Sequence, residues 1–182
     1  MPRLKSMATP YAEALIQVAE ARKETDTVAE QAKVVLAVLN SSPELQAALA
    51  SPLLEPDAKK AALGKIFNDQ VTPSVQNLLK LLADRQRLPM LDAVMIRFLE
   101  LYRELRHITL AKVTSAAALT AEQQAELNKK VQAIAGSKAV EFDLVVDPSL
   151  IGGFIVSMGS QVIDASLSGQ VRRLGLALAQ VG

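Results

Sequence analysis

Residues 147–173 read DPSLIGGFIVSMGSQVIDASLSGQVRR, and this stretch decides the fold. Four of the chain's eight glycines fall inside it, at 152, 153, 159 and 169, and seven of the eight lie after residue 135. Glycine is kept where the backbone needs a positive φ or a close approach, and in a helix interior it costs about 1 kcal/mol. The distribution predicts two physical characters, a long helical part whose only glycine is Gly64 and a compact part with tight strand reversals. Within the quoted stretch, Gly152-Gly153 leads into an apolar strand, and Gly159-Ser160 turns it into a short QVIDAS strand. A terminal helix over Leu167 to Val181 follows, with Val171, Leu174, Leu178 and Val181 on one stripe.

Working back from Asp147, the segment VEFDLVV alternates Val140, Phe142 and Leu144 against Glu141 and Asp143, and it stops at Asp147-Pro148. Upstream of it, Thr120 with Gln123 three residues on forms a capping box. Leu127, Val131 and Ile134 line the helix that this box opens, and Gly136 closes it. From Ile108, ITLAKVT is β-branched and reads as a strand. Residues 107–182 are therefore expected to form a small sheet flanked by two helices.

Residues 1–106 carry helical signals only. Three times a hydroxyl residue precedes proline at the start of an apolar-periodic run, at Thr9-Pro10, Ser42-Pro43 and Thr72-Pro73, and each pair predicts a helix start. Pro56 and Pro89 predict two more. Stripes such as Val28, Ala32, Val35 and Leu39, or Leu91, Val94, Met95, Phe98, Leu101, Tyr102 and Leu105, have the helical period. The expected class is α+β, an N-terminal six-helix bundle over 1–106 and a small α/β C-terminal domain over 107–182.

Composition narrows the chemistry. Half of the 182 residues are hydrophobic but only 3% are aromatic, so the core is built from Ala, Leu, Val and Ile. With no Cys and His107 alone, thiolate and multi-imidazole metal sites are excluded. Lys and Arg number 14 against 13 Asp and Glu in residues 1–106, and 6 against 6 in the rest. A balance so even, with few aromatics to stack on bases, argues against nucleic acid as the main partner. Arg85, Arg87, Arg103 and Arg106 keep open one alternative, a helical scaffold or RNA-associated adaptor. No apolar run approaches the about 18 residues a membrane span needs, and no secretion signal is visible.

No P-loop, dinucleotide fingerprint or nucleophile elbow occurs. Asp143, Asp147 and Asp164 read as structural carboxylates rather than a metal or acid–base pair, with Asp164 placed to meet Arg172 or Arg173. The lone His107 marks a domain boundary. What remains is apolar surface. Tyr11, Ala14, Leu15 and Val18 on the first helix and Val75, Leu79 and Leu82 on the fifth either fill the bundle or leave a surplus, a groove for a partner's amphipathic helix.

The stretch DPSLIGGFIVSMGSQVIDASLSGQVRRL resembles the C-terminal signature of the delta subunit of bacterial and chloroplast ATP synthase, related to the mitochondrial oligomycin-sensitivity-conferring protein. Its signature positions here are Asp147, Pro148, Gly152, Gly153, Gly159, Asp164, Gly169 and Arg172. ATPYAEALIQVA near the start is similar to that family's first helix, through Tyr11, Ala12 and Ala14, and the likeness is colinear through SAAALTAEQQAELNKKV. The resemblance implies a non-catalytic stator subunit of a proton-translocating rotary ATP synthase, with no cofactor and no metal. It implies that the helical domain grips the N-terminal helix of an alpha subunit in the groove between helices one and five, and that the C-terminal domain holds the b-type subunits of the peripheral stalk. It implies no nucleic acid, no direct membrane insertion, and a peripheral place on the cytoplasmic face of an energy-coupling membrane, a bacterial plasma membrane or a thylakoid.

Overall fold

The computed structural model describes the backbone of residues 2–67, 70–135, 139–159 and 161–179, and the side chains of these except 2–5, 121, 130, 133–135 and 174–179. Among the described residues there are eight α-helices and one four-stranded sheet, a mixed α and β architecture, and the chain separates into two compact units, residues 1–104 and 105–182.

The first unit contains α1 (Pro2–Ala21), α2 (Thr25–Ser41), α3 (Pro43–Ala50), α4 (Pro56–Phe67), α5 (Pro73–Asp84) and, after a short 3-10 turn over Leu88–Met90, nearly all of α6 (Leu91–Arg106). All six contribute to one apolar core, in which Val28, Val35, Phe67, Val75, Leu82, Leu91, Val94, Met95 and Phe98 are among the fully buried side chains.

Two of the three proline signals mark helix starts. Ser42 caps α3 by accepting from Leu45 N at 3.3 Å. Thr72 precedes α5 without capping it; its N–H and hydroxyl both donate to Gln31 Oε1 on α2, at 2.9 and 3.1 Å, which ties α5 to a neighbour instead. Thr9-Pro10 is not a start, because α1 begins at Pro2 and contains Pro10. The buried stripe Ala8, Ala12, Leu15 and Ala19 runs through the proline, and Pro10 itself is exposed, so the helical hydrogen bond it cannot donate is lost where water replaces it. Buried Lys59 closes α3, its ammonium donating to Leu49 O at 2.9 Å and Ser51 O at 2.7 Å near the negative end of the helix dipole.

The second unit is a sheet of order β2-β1-β3-β4, from β1 (Ile108–Ser115), β2 (Ala139–Val146), β3 (Phe154–Met158) and β4 (Gln161–Asp164), with α7 (Ala121–Ala135) and α8 (Leu167–Ala179). His107, exposed and at φ 54°, makes the turn between α6 and β1. β1 and β2 pair in parallel from Ile108↔Ala139 to Ser115↔Val146, which requires the crossover that α7 supplies. Thr120 and Gln123 form the expected capping box ahead of it, by reciprocal bonds of 3.0 and 3.3 Å. The antiparallel pairs Val113↔Val156 and Val156↔Ile163 complete the sheet. Ala111, Val113, Val156 and Met158 pack with Leu127 and Val131 of α7.

Two apolar positions of these patterns stay uncovered. Val140 and Phe142 pack on this core, but Leu144 is 44% exposed. β2 is an edge strand with only β1 beside it, so alternation sets which way a side chain faces and not whether anything covers it. Val171 is 68% exposed, because α8 lays Gly169 against Asp164. Two positions apart on a helix is about 200°, so seating Gly169 inward turns Val171 outward. The expected roles of Gly136, Ser160 and Val181, and of the Ile134, Leu174 and Leu178 side chains, lie outside the described residues.

Candidate functional site

On the first unit, α1 and α5 pack side by side and leave an open groove of about 270 Å³. Tyr11, Ala14, Leu15 and Val18 line one wall and Ser74, Asn77, Leu78 and Leu81 the other, each set at the i, i+3, i+4, i+7 spacing of one helix face. Arg87, beyond the end of α5, donates to Tyr11 Oη at 2.8 Å and stacks its guanidinium 5.7 Å from the ring centroid. Arg22, past the end of α1, donates to Ser74 Oγ at 3.1 Å, and that hydroxyl donates to Glu24. The helices therefore run antiparallel, and a polar group closes each end of an apolar trough. From Tyr11 to Arg22 is about 16 Å, three turns of helix. Val18 and Leu81, 42% and 43% exposed, are the large aliphatic side chains the trough leaves exposed, beside the exposed Ala14.

The four expected residues of α1 are on this wall. Those of α5 are not: Val75 and Leu82 are fully buried and Leu79 is 4% exposed, all three in the core. The wall is instead the adjoining face, Ser74, Asn77, Leu78 and Leu81. Leu81 carried the signal that reveals it, an apolar side chain lying off the stripe 75, 78, 79, 82.

In the second unit the signature residues build a junction rather than a reaction centre. Asp147 N donates to Ser115 O at 2.8 Å, and Asp147 Oδ1 accepts from Ser149 N at 2.9 Å ahead of Pro148, which fastens the loop after β2 to the end of β1. Gly153 sits at φ 81°, and a Cβ there would strike Ala165 O and Ser166 Cα. Gly159 turns β3 into β4 at φ 56°. Asp164 Oδ1 accepts from Ser166 N at 2.9 Å and from Ser166 Oγ at 2.6 Å, while Ser166 Oγ accepts from Gly169 N at 3.0 Å and so caps α8. A Cβ on Gly169 would fall on the Asp164 carboxylate. Arg172 stands 3.7 Å from Asp164 Oδ2, largely in solvent.

Hydrogen bonds from the Ser149 side chain and backbone hold Asp147 below the usual carboxylate range; those from the Ser166 hydroxyl and N–H, with Arg173 and Arg172 adding a smaller charge effect, do the same for Asp164. Groups so held stay ionised, the opposite of what a general acid needs. Asp143 is exposed on β2. Among the described residues no three His, Asp or Glu side chains gather to hold a metal ion, and no helix is long and apolar enough to cross a membrane.

The family model described as ATP synthase delta (OSCP) subunit matches residues 7–178. The chain belongs to this family. ATP synthase subunit delta of Synechococcus sp. (strain CC9605) is 67% identical over 99% of both chains, and that of Prochlorococcus marinus (strain MIT 9303) is 65% identical over the whole of both. A chain of the Toxoplasma gondii mitochondrial ATP synthase hexamer, solved by cryo-EM, superposes with a TM-score of 0.74 at 24% identity, covering 94% of this chain and 97% of the other, which shows a shared fold. As a member of this family the chain is a stator component of ATP synthase and not catalytic by itself. The nucleic-acid alternative gains nothing from these relatives, and Arg87 of its patch is engaged with Tyr11.

Proposed function

We propose that this chain joins two parts of the synthase that must not turn relative to each other. The six N-terminal helices act as a bundle that takes the amphipathic N-terminal helix of an alpha subunit into the α1/α5 groove, and residues 107–182 hold the b-type subunits of the peripheral stalk. Rotation of the central shaft exerts torque on the catalytic head, and the reaction force passes through this chain to the stalk. The protein sits peripherally on the cytoplasmic face of the energy-coupling membrane, attached through its partners and inserting nothing itself.

The observation that carries the reading is the groove, an apolar trough three helical turns long with a polar group at each end. A helix laid in such a trough buries mostly apolar surface, so the joint dissociates slowly and depends little on salt. Near-neutral charge in both parts of the chain agrees with that. Titration calorimetry of the full chain with a peptide of the alpha subunit's N-terminal helix tests it. Binding is expected for the native chain and a loss of ten-fold or more for Val18→Asp, about 1.4 kcal/mol. Equal binding by a folded Val18→Asp chain would falsify the groove assignment.

A further inference from the structure

Strand β2 gives the sheet a long edge. Its ladder with β1 runs without a bulge from Ile108↔Ala139 to Ser115↔Val146, and the sheet order puts no strand on its other side. Asp147 N donates to Ser115 O at 2.8 Å, and backbone N–H and C=O groups alternate in direction along an extended strand. Those of Val145 therefore face β1, and those of Leu144 and Val146 point away from it. Natural edges are blunted by shortness, proline, lysine or a bulge. The opposite edge, β4, is only four residues long, whereas β2 has eight residues and none of these devices.

The second half of β2 is exposed from Asp143 onward, with Leu144, Val145 and Val146 at 44%, 37% and 53%. Leu144 and Val146 share a face with Val140 and Phe142, which pack on the core beneath α7, and Val145 stands on the opposite face. This distribution indicates the shape of what covers it. A helix laid on a sheet covers one face and leaves the outward backbone groups unpaired. An extended segment paired along the edge meets side chains on both faces and bonds to those groups as well.

Charge narrows the occupant further. β2 carries Glu141 and Asp143 and no cation. A second copy paired antiparallel about Leu144 would set Glu141 opposite Asp147 at both ends of the pair, and like charges directly opposite are destabilising. An apolar segment with a Lys or Arg opposite the exposed Asp143 avoids that repulsion and gains an attraction.

We propose that the outward edge of β2 at Leu144 to Val146 pairs with an extended, apolar, cation-bearing segment of the peripheral stalk. The assignment rests on the stalk-holding role proposed above and names the surface that performs it. Residue-resolved amide exchange is measured on the full chain, free and with the soluble portion of the b-type stalk subunits; calorimetry follows stalk and catalytic head separately. On stalk binding, exchange at Leu144 and Val146 is expected to slow ten-fold or more. Leu144→Pro removes an N–H that does not bond to β1 and is expected to weaken stalk binding at least ten-fold while head binding is unchanged. Leu144→Lys, which leaves the β1 ladder whole, is expected to weaken it as well, and stands in for the proline variant if that does not fold. Stalk binding with native exchange rates at both amides, or native affinity in a folded Leu144→Lys chain, overturns the edge assignment while the stator reading stands. Native protein that binds no stalk at all overturns both. Slowed exchange at these amides that grows with the concentration of the chain alone, and does not change with stalk, assigns the edge to a second copy and refutes the proposal.

Discussion

The two units hold their shape by different means. Among the described residues, twenty-five buried apolar side chains form the core of the first unit and six that of the second. The first is secured by many interchangeable apolar contacts; the junction in the second also needs loop and strand backbones, a serine hydroxyl and two carboxylates held in one geometry. Their exposed surfaces differ accordingly. The groove between α1 and α5 is a by-product of regular helix packing, whereas in the second unit Gly152 and Gly153 let a loop and a helix start approach each other. Substitution should therefore act through lost volume in one unit and through added volume in the other.

The hardest test is a cavity in the larger core. Phe98→Ala, at a fully buried position, should lower the stability of the first unit by about 3–5 kcal/mol in urea denaturation, with near-native signals from the second unit at denaturant concentrations that melt the first. A loss under 1 kcal/mol would mean that the core does not carry the unit.

Next comes one substitution made in both units. Gly153→Ala should destabilise the second unit by about 1–3 kcal/mol, since it adds a methyl at positive φ against Ala165 O. Gly64→Ala, in α4 with nothing within 4 Å of the new methyl, should stabilise the first by about 0.5–1 kcal/mol. Thermal midpoints moving the same way in both variants would erase the distinction.

Neighbouring leucines on α5 separate surface from core. Leu79→Asp buries a charge and should unfold the first unit, as seen by circular dichroism. Leu81→Asp, at a 43% exposed position, should shift stability by no more than about 0.5 kcal/mol while weakening alpha-subunit peptide binding at least ten-fold. Equal effects of the two on folding would show that Leu81 belongs to the core.

The mildest contrast is in acid. Asp164 has its pKa lowered in the fold by Ser166, so its contribution is fully present above the unfolded carboxylate value, about 3.9, and is lost as pH falls through the lower folded value. Below about pH 4 the native second unit should lose stability, and Ser166→Ala should flatten that loss, measured as Tm against pH. An unchanged slope would remove Asp164 from the account.

Helix and strand were largely legible because periodicity is local. The stripe Val28, Ala32, Val35, Leu39 needs only the 3.6-residue repeat to be seen, and the Ser42 cap and the Thr120–Gln123 box need only neighbours three residues away. The α1 wall of the groove was readable for the same reason. Pro10 misled because its penalty is local while the stripe that overrides it, Ala8 to Ala19, spans about three turns of helix. The α5 wall misled because a helix with apolar residues at 75, 78, 79, 81 and 82 has more than one apolar face, and only its partners decide which is covered.

Sequence by itself determined the division into a nearly glycine-free helical part and a glycine-rich sheet part, the order of the elements, the absence of thiol and multi-histidine chemistry, and the family likeness, since each follows from residue identity and short spacing. Tertiary structure alone decided that Leu81 rather than Leu79 faces the groove, that Leu144 and Val171 stay in water, and that Asp164 organises α8 through Ser166 and Gly169. Whether an apolar side chain is covered, and which donor a carboxylate meets, depend on atoms brought together from distant parts of the chain, and no local pattern encodes that.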